Sequence, residues 1–210
     1  MNGLGRDETM RPDVVRARRA HLADAETVGR ILGRAFIDDP LLRHMLPDPA
    51  LRPEKLPKVF SILFKICEPN GGCLVTAGAE AAAIWLPPDK VNIPITAYLS
   101  HLGGFLDAFG VSGAVRALSA MDQVDKAHPH EPHWYLLAVG AAPEHQGKGH
   151  GSRVIREQLR RADSERIPAY LETGTEKNVA IYRNLGFEAV REIPITKGPT
   201  LTGMWREPQP

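Results

Sequence analysis

Cysteine is scarce in this chain: Cys67 and Cys73 are the only two among 210 residues. That excludes a disulfide-built secreted scaffold and fits the reduced thiols of a cytoplasmic protein. Neither cysteine stands in a spacing that suits a metal or a nucleophile. Charge of one sign is also lacking, with a formal net charge of +1. No broad basic face for nucleic acid is therefore expected. No apolar run approaches the roughly 18 residues needed to span a membrane, so no membrane partner is expected. Residues 1–12 are polar and lack the apolar core of a signal peptide. The eight histidines share no metal-ligand spacing on a helix face, and no metal is expected. His128 and His130 flank Pro129 in what reads as an exposed loop.

What remains is the composition of a globular domain, 43% hydrophobic and 24% charged. The length suits a single domain over residues 13–206, with tails at 1–12 and 207–210. Strands are predicted at 14–19, 73–76, 82–86, 134–139, 169–172, 187–195 and 201–206. Helices are predicted at 24–36, capped by Asp24, and at 54–66, with Leu56, Val59, Phe60 and Phe64 inward. Asp38-Asp39-Pro40 reads as a helix stop. Residues 94–127 read as helical but broken near Gly103-Gly104 and Gly110, forming one wall of a site. Two further helices cover 149–162 and 177–185. This alternation implies an α/β (α+β) protein with a mixed central β-sheet flanked by helices. The arginines Arg156, Arg160 and Arg161 read as a solvated helix face.

Functional chemistry concentrates after the run 134–139. Gly140 and Pro143 end that strand, and Gly147-Lys148-Gly149-His150-Gly151 opens directly into a helix. Glycines let backbone N–H groups converge, and a helix N-terminus adds partial positive charge, which together suit phosphate groups. The spacing excludes a P-loop, because Lys148 is followed by Gly149 rather than Ser or Thr. A dinucleotide fingerprint fits Gly147 and Gly149, with Glu172 downstream as the ribose acid, but requires glycine where Ser152 stands.

Gln146-Gly147-Lys148-Gly149-His150-Gly151 instead resembles the Q-x-x-G-x-G signature of the GNAT N-acetyltransferases. A second signature matches: Asn178, then Tyr182 on the same helix face, then Gly186-Phe187 closing the helix. Residues 131–136, 143–149, 170–173 and 35–40 are similar to puromycin N-acetyltransferase and its bacterial relatives. The resemblance implies a GNAT-like fold and acetyl-CoA as cosubstrate. It places the pyrophosphate on the backbone of Gln146 through Ser152, with charge from Lys148 or Arg153. Backbone N–H groups of Ala138, Val139, Gly140 and Ala141 line the acyl end, and Asn178 faces the pantetheine arm. Tyr182 would protonate the departing thiolate. The resemblance leaves the general base open. Tyr135 stands where many members carry a glutamate, and Glu172 or His133 is expected to take that part, unless an acceptor of low pKa needs no base. Asp38 and Asp39 could attract a cationic amine, or simply stop the helix.

The expected activity is acetyl transfer to a primary amine of a small, antibiotic-like molecule, by a monomer or homodimer. A protein or peptide amine is the alternative acceptor. A non-catalytic acyl-CoA-binding module is the alternative class, against which Tyr182 argues.

Overall fold

The computed structural model describes residues 17–210. Residues 1–12, expected as a tail, and the start of the strand expected at 14–19 lie outside the described residues. One seven-stranded sheet carries the chain in the order β1-β2-β3-β4-β5-β7-β6. Its strands are β1 (Ala17–Arg19), β2 (Leu74–Thr76), β3 (Ala81–Leu86), β4 (Trp134–Ala141), β5 (Ala169–Thr173), β6 (Glu188–Pro194) and β7 (Thr200–Arg206). Only β4 and β5 pair in parallel; every other neighbouring pair is antiparallel. The long connection through the helix after β4 is what a parallel step requires.

The helices are α1 (Ala25–Ala35), α2 (Pro40–Met45), α3 (Arg52–Cys67), α4 (Ile95–Leu99), α5 (Leu102–Ala127), α6 (His150–Glu165) and α7 (Glu176–Arg183). α1 and α3 cover one face, burying Val28, Ile31, Leu32, Phe60 and Phe64 against Ile84, Tyr135 and Tyr170. α6 and α7 cover the other, where Val154, Ile155, Leu159, Val179 and Tyr182 meet Trp85, Trp134, Leu136 and Met204. A third cluster joins α2, α3 and α5 to β6 and β7 through Met45, Leu56, Phe109, Ile193 and Leu201. A fully buried leucine or phenylalanine contributes about 1.5–3 kcal/mol, so these clusters set the layering. Among the described residues no helix is long and apolar enough to cross a membrane.

The expectations hold in order and type, with local corrections. Asp24 does not cap α1; its carboxylate takes Arg18 Nη1 at 2.8 Å and the His21 amide at 2.9 Å, closing the short turn before the helix. Asp39 begins a helix rather than merely ending one. Its Oδ1 accepts from the amides of Leu41 (2.9 Å) and Leu42 (3.0 Å), with Pro40 in the first position. The break within 94–127 falls before His101 and at Gly110, whose φ of 63° interrupts α5, and not at Gly103-Gly104. Gly186 ends α7 with φ 88°, as expected of a left-handed cap. Cys67 and Cys73 are buried free thiols; burial alone pushes Cys67 up to about 12.

Candidate active site

The site begins where β4 and β5 part. Their pairing runs Trp134↔Ala169, Tyr135↔Tyr170 and Leu136↔Leu171, and then stops. β4 nevertheless continues to Ala141 and β5 to Thr173. On the other edge of β4 the register steps from Leu136↔Trp85 to Ala138↔Ile84, leaving Leu137 as an extra residue. That is a β-bulge, which bends a strand and resets its side-chain alternation. Tyr135 and Ala138 consequently face the same cluster, under α1 and α3, while Leu136 and Val139 share the opposite one. From Ala138 to Ala141 the side of β4 toward β5 has no ladder partner, which leaves amides to bind something else. Gly140 also permits α1 to approach: a Cβ there would lie 2.5 Å from Cβ of Ala35.

Beyond β4 the chain turns through Pro143–His145 into the glycine loop. Arg34 anchors that turn to α1, its Nη1 donating to Glu144 Oε1 at 2.9 Å. Gly147 (φ 75°) and Gly149 (φ 79°) take left-handed conformations that a side chain would strain. Gly149 is the N-cap of α6 and offers no side-chain acceptor, and the first turn holds no acid. The amides of His150, Gly151 and Ser152 are therefore the helix's unpaired donors. A Cβ at Gly147, Gly149 or Gly151 would meet nothing within 4 Å, so the cradle is open to a ligand. The amide-and-dipole arrangement suits an anion. Gln146 and Lys148 brace the loop, donating to the carbonyls of Ala141 (3.2 Å) and Glu144 (2.9 Å). The His150 ring turns inward, edge-on to His145, with burial lowering its basicity.

Thr175 caps α7, accepting from the Asn178 amide at 3.2 Å. One turn on, Tyr182 is buried with its ring edge-on to Phe187, centroids 5.9 Å apart. Burial first, and the nearby Asp39 carboxylate second, push its hydroxyl well above the usual phenol range. A phenol held protonated is suited to give up a proton only to a strong base. Asp38, by contrast, is exposed and accepts from Arg52 Nη1 at 3.2 Å.

The remaining candidates meet in a buried polar group that neighbouring sequence does not foretell. His133 is fully enclosed. Its Nδ1 lies 2.6 Å from the Glu131 carbonyl, which can only accept, so Nδ1 carries a hydrogen. Its Nε2 lies 3.0 Å from Nε2 of His128. With burial holding His133 neutral, that contact requires the hydrogen to sit on His128. His128 Nδ1 then faces Glu172 Oε1 at 3.5 Å. Glu172 Oε1 itself is buried without a hydrogen-bond partner. Tyr135 and Tyr170 wall the group, their ring centroids 4.6 and 5.1 Å from that of His128, and burial keeps both phenols protonated. A cavity of about 230 Å³ beside His128, lined by Asn92, Asp125, His130 and Glu131 among others, leads outward.

His128 is thus not the exposed loop residue its sequence context predicts. It ends α5, which swings it onto the end of β5, and no local pattern links residues 128 and 172. α5 meets this group by its C-terminal end, through His128. Among the described residues no group of three or more His, Cys, Asp or Glu side chains is arranged to hold a metal. Arg160 and Arg161 pair with Glu157 and Glu165, and Arg161 also lies over Trp134, 4.8 Å from the ring centroid.

The fold is the GNAT acetyltransferase fold, and residues 97–187 match the model of the acetyltransferase (GNAT) family. That segment contains the glycine loop, Glu172, Asn178 and Tyr182. An uncharacterised N-acetyltransferase of Schizosaccharomyces pombe is 35% identical over 79 residues, 36% of this chain and 32% of the relative. The match thus spans about a third of that relative's length. Among solved structures, a histone acetyltransferase HPA2 and related acetyltransferase of Corynebacterium glutamicum superposes with TM-score 0.70 at 24% identity, covering 92% of this chain and 96% of that one. A Drosophila melanogaster polyamine N-acetyltransferase, which forms N-acetylagmatine, gives TM-score 0.66 at 15% identity, covering 91% and 98%.

Proposed function

We propose that this protein is an acetyl-CoA-dependent N-acetyltransferase that acetylates a primary amine of a small molecule by direct transfer. The observation that carries the reading is the opening between β4 and β5 at the Leu137 bulge, continuous with the uncapped N-terminus of α6. The amides of Gly147 through Ser152 would hold the pyrophosphate, and Asn178 would border the pantetheine arm. Acetyl-CoA supplies the activated acyl group. Backbone N–H groups between Ala138 and Ala141 would stabilise the oxyanion of the tetrahedral intermediate. Tyr182 holds the proton that the departing thiolate needs. Glu172, with His128 and His133 behind it, takes a proton from the acceptor's ammonium so that the neutral amine can attack, filling the place where Tyr135 stands without a carboxylate. Tyr135 and Tyr170 keep that relay dry. Asp39 Oδ1 takes both capping bonds, so Oδ2 is left to attract the acceptor's amine. Membership of the puromycin N-acetyltransferase branch is part of the proposal, supported by the residue similarities at 35–40, 131–136, 143–149 and 170–173. So is action in the cytoplasm.

The test is an amine screen with acetyl-CoA and free-thiol detection, run beside Tyr182→Phe. Turnover should fall about 10²-fold or more in the variant, the scale of a lost general acid. Its acetyl-CoA affinity by calorimetry should be unchanged. Full activity in Tyr182→Phe would remove it as the acid, and absence of thiol release with any amine would count against the transferase.

A further inference from the structure

We propose that the acceptor carries an anionic group, a carboxylate or phosphate, bound in the basin between α2 and the β6–β7 turn. This rests on the transferase reading and specifies its substrate. The basin, about 620 Å³, is lined by Arg43, His44, Arg52 and Lys197 together with prolines and Gly198, and by no acid. For a chain of net charge +1, three permanent cations and a histidine around one hollow are a local concentration, not a general surplus.

Two of the nearby acids are occupied elsewhere, and the third already pairs with a basin cation. Asp38 bonds Arg52, Asp39 caps α2, and Asp48 accepts from the Ala50 amide at 2.9 Å. Arg43 and Lys197 have no ion-pair partner among the described residues. Arg52 is the deepest of the cations, its side chain 7% exposed. Its Nη1 donates to the Ile37 carbonyl at 2.7 Å and to Asp38, while its buried Nε has no partner. An unsatisfied buried donor is costly, and an incoming anion would relieve it. Lys197 sits at φ 57° in the turn closed by the Gly198 amide on the Ile195 carbonyl at 2.8 Å. A left-handed lysine is strained, and such strain is tolerated where position matters.

The basin adjoins the reaction centre. Pro40 lines it and packs beside Gly174, just past β5, since a Cβ on Gly174 would lie 3.6 Å from the proline ring. The residue before it, Asp39, carries the charge that, after burial, raises the Tyr182 hydroxyl. A molecule with its amine between Asp39 and the parted strands and its anion against Arg43 and Lys197 therefore meets opposite charge at both ends.

The experiment compares acetylation of matched amines: β-alanine with β-alaninamide, O-phosphoethanolamine with ethanolamine, and agmatine as a cation. The carboxylate and phosphate pairs tell the two anions apart. At least one anionic member should be preferred about tenfold or more in kcat/KM. The double variant Arg43→Glu/Lys197→Glu should erase that preference without changing acetyl-CoA affinity. Preference for agmatine, indifference to charge, or a variant effect confined to acetyl-CoA affinity would overturn the proposal. Independently of turnover, inorganic phosphate should shift the His44 ring protons in NMR saturably, and not in the double variant. No such shift also overturns it. A phosphate response without any acetylation would instead fault the transferase reading.

Discussion

Proton counting defines what the buried group at His133, His128 and Glu172 can do. The Glu131 carbonyl fixes the hydrogen of His133, His133 fixes that of His128, and His128 Nδ1 faces the unpartnered Glu172 Oε1. The same burial has a consequence for stability. Desolvation lowers the pKa of His133, so below about pH 6.5 the unfolded chain takes up a proton that the folded chain refuses. Its contribution is fully present above that pH and is lost as pH falls toward the folded value. His133→Gln should therefore show a shallower decline of urea midpoint between pH 7.5 and 5.5. The difference is at most about 1.4 kcal/mol per pH unit, the value for one proton. Identical slopes in the two proteins would mean that His133 titrates freely.

At the scale of the element, α6 begins where a ligand is needed. A helix whose first-turn amides lack both a capping side chain and a steric cover is incomplete by itself. Gly149→Asp should fill this position twice over, with a carboxylate accepting from the first-turn amides and a negative charge where the pyrophosphate would sit. Acetyl-CoA affinity measured by calorimetry should drop at least 100-fold, while circular dichroism stays that of the parent. Retained affinity would detach the glycine loop from the cosubstrate. This loop was legible in sequence because Gly147, Gly149 and Gly151 alternate within five residues and lead straight into an amphipathic helix. The bulge at Leu137 was not, because an unbroken apolar run reads the same with or without an extra residue. Asp39-Pro40 carried the signature of an N-cap followed by proline, yet a six-residue helix leaves little periodicity to confirm it.

Across the whole molecule, one clamp joins the two ends of the C-terminal half. Arg206 on β7, 4% exposed, donates to both carboxylate oxygens of Asp163 on α6 at 2.7 and 2.9 Å and to the Leu185 carbonyl at 3.0 Å. Asp163 also accepts from the Gln209 amide at 2.8 Å. Removing one partner of a buried pair leaves an uncompensated charge, so Asp163→Ala should cost about 3 kcal/mol in urea unfolding. A loss below about 1 kcal/mol would show the guanidinium finding water instead. The pair holds the Asp163 carboxyl below its usual range, so its stabilisation is present above about pH 4 and fades as pH falls further.

The sequence by itself determined the order and type of the main elements and the glycine loop that opens α6, because periodicity and glycine spacing act over a few residues. It also marked Glu172 on β5 and Asn178 and Tyr182 on α7 as candidates. Tertiary structure alone decided the partners. The sheet brings the end of α5 onto β5, so that His128 joins residues five and forty-four positions away. It also sets Arg43 on α2 beside Lys197 on the β6–β7 turn. Such meetings depend on packing between distant segments, which no local pattern encodes.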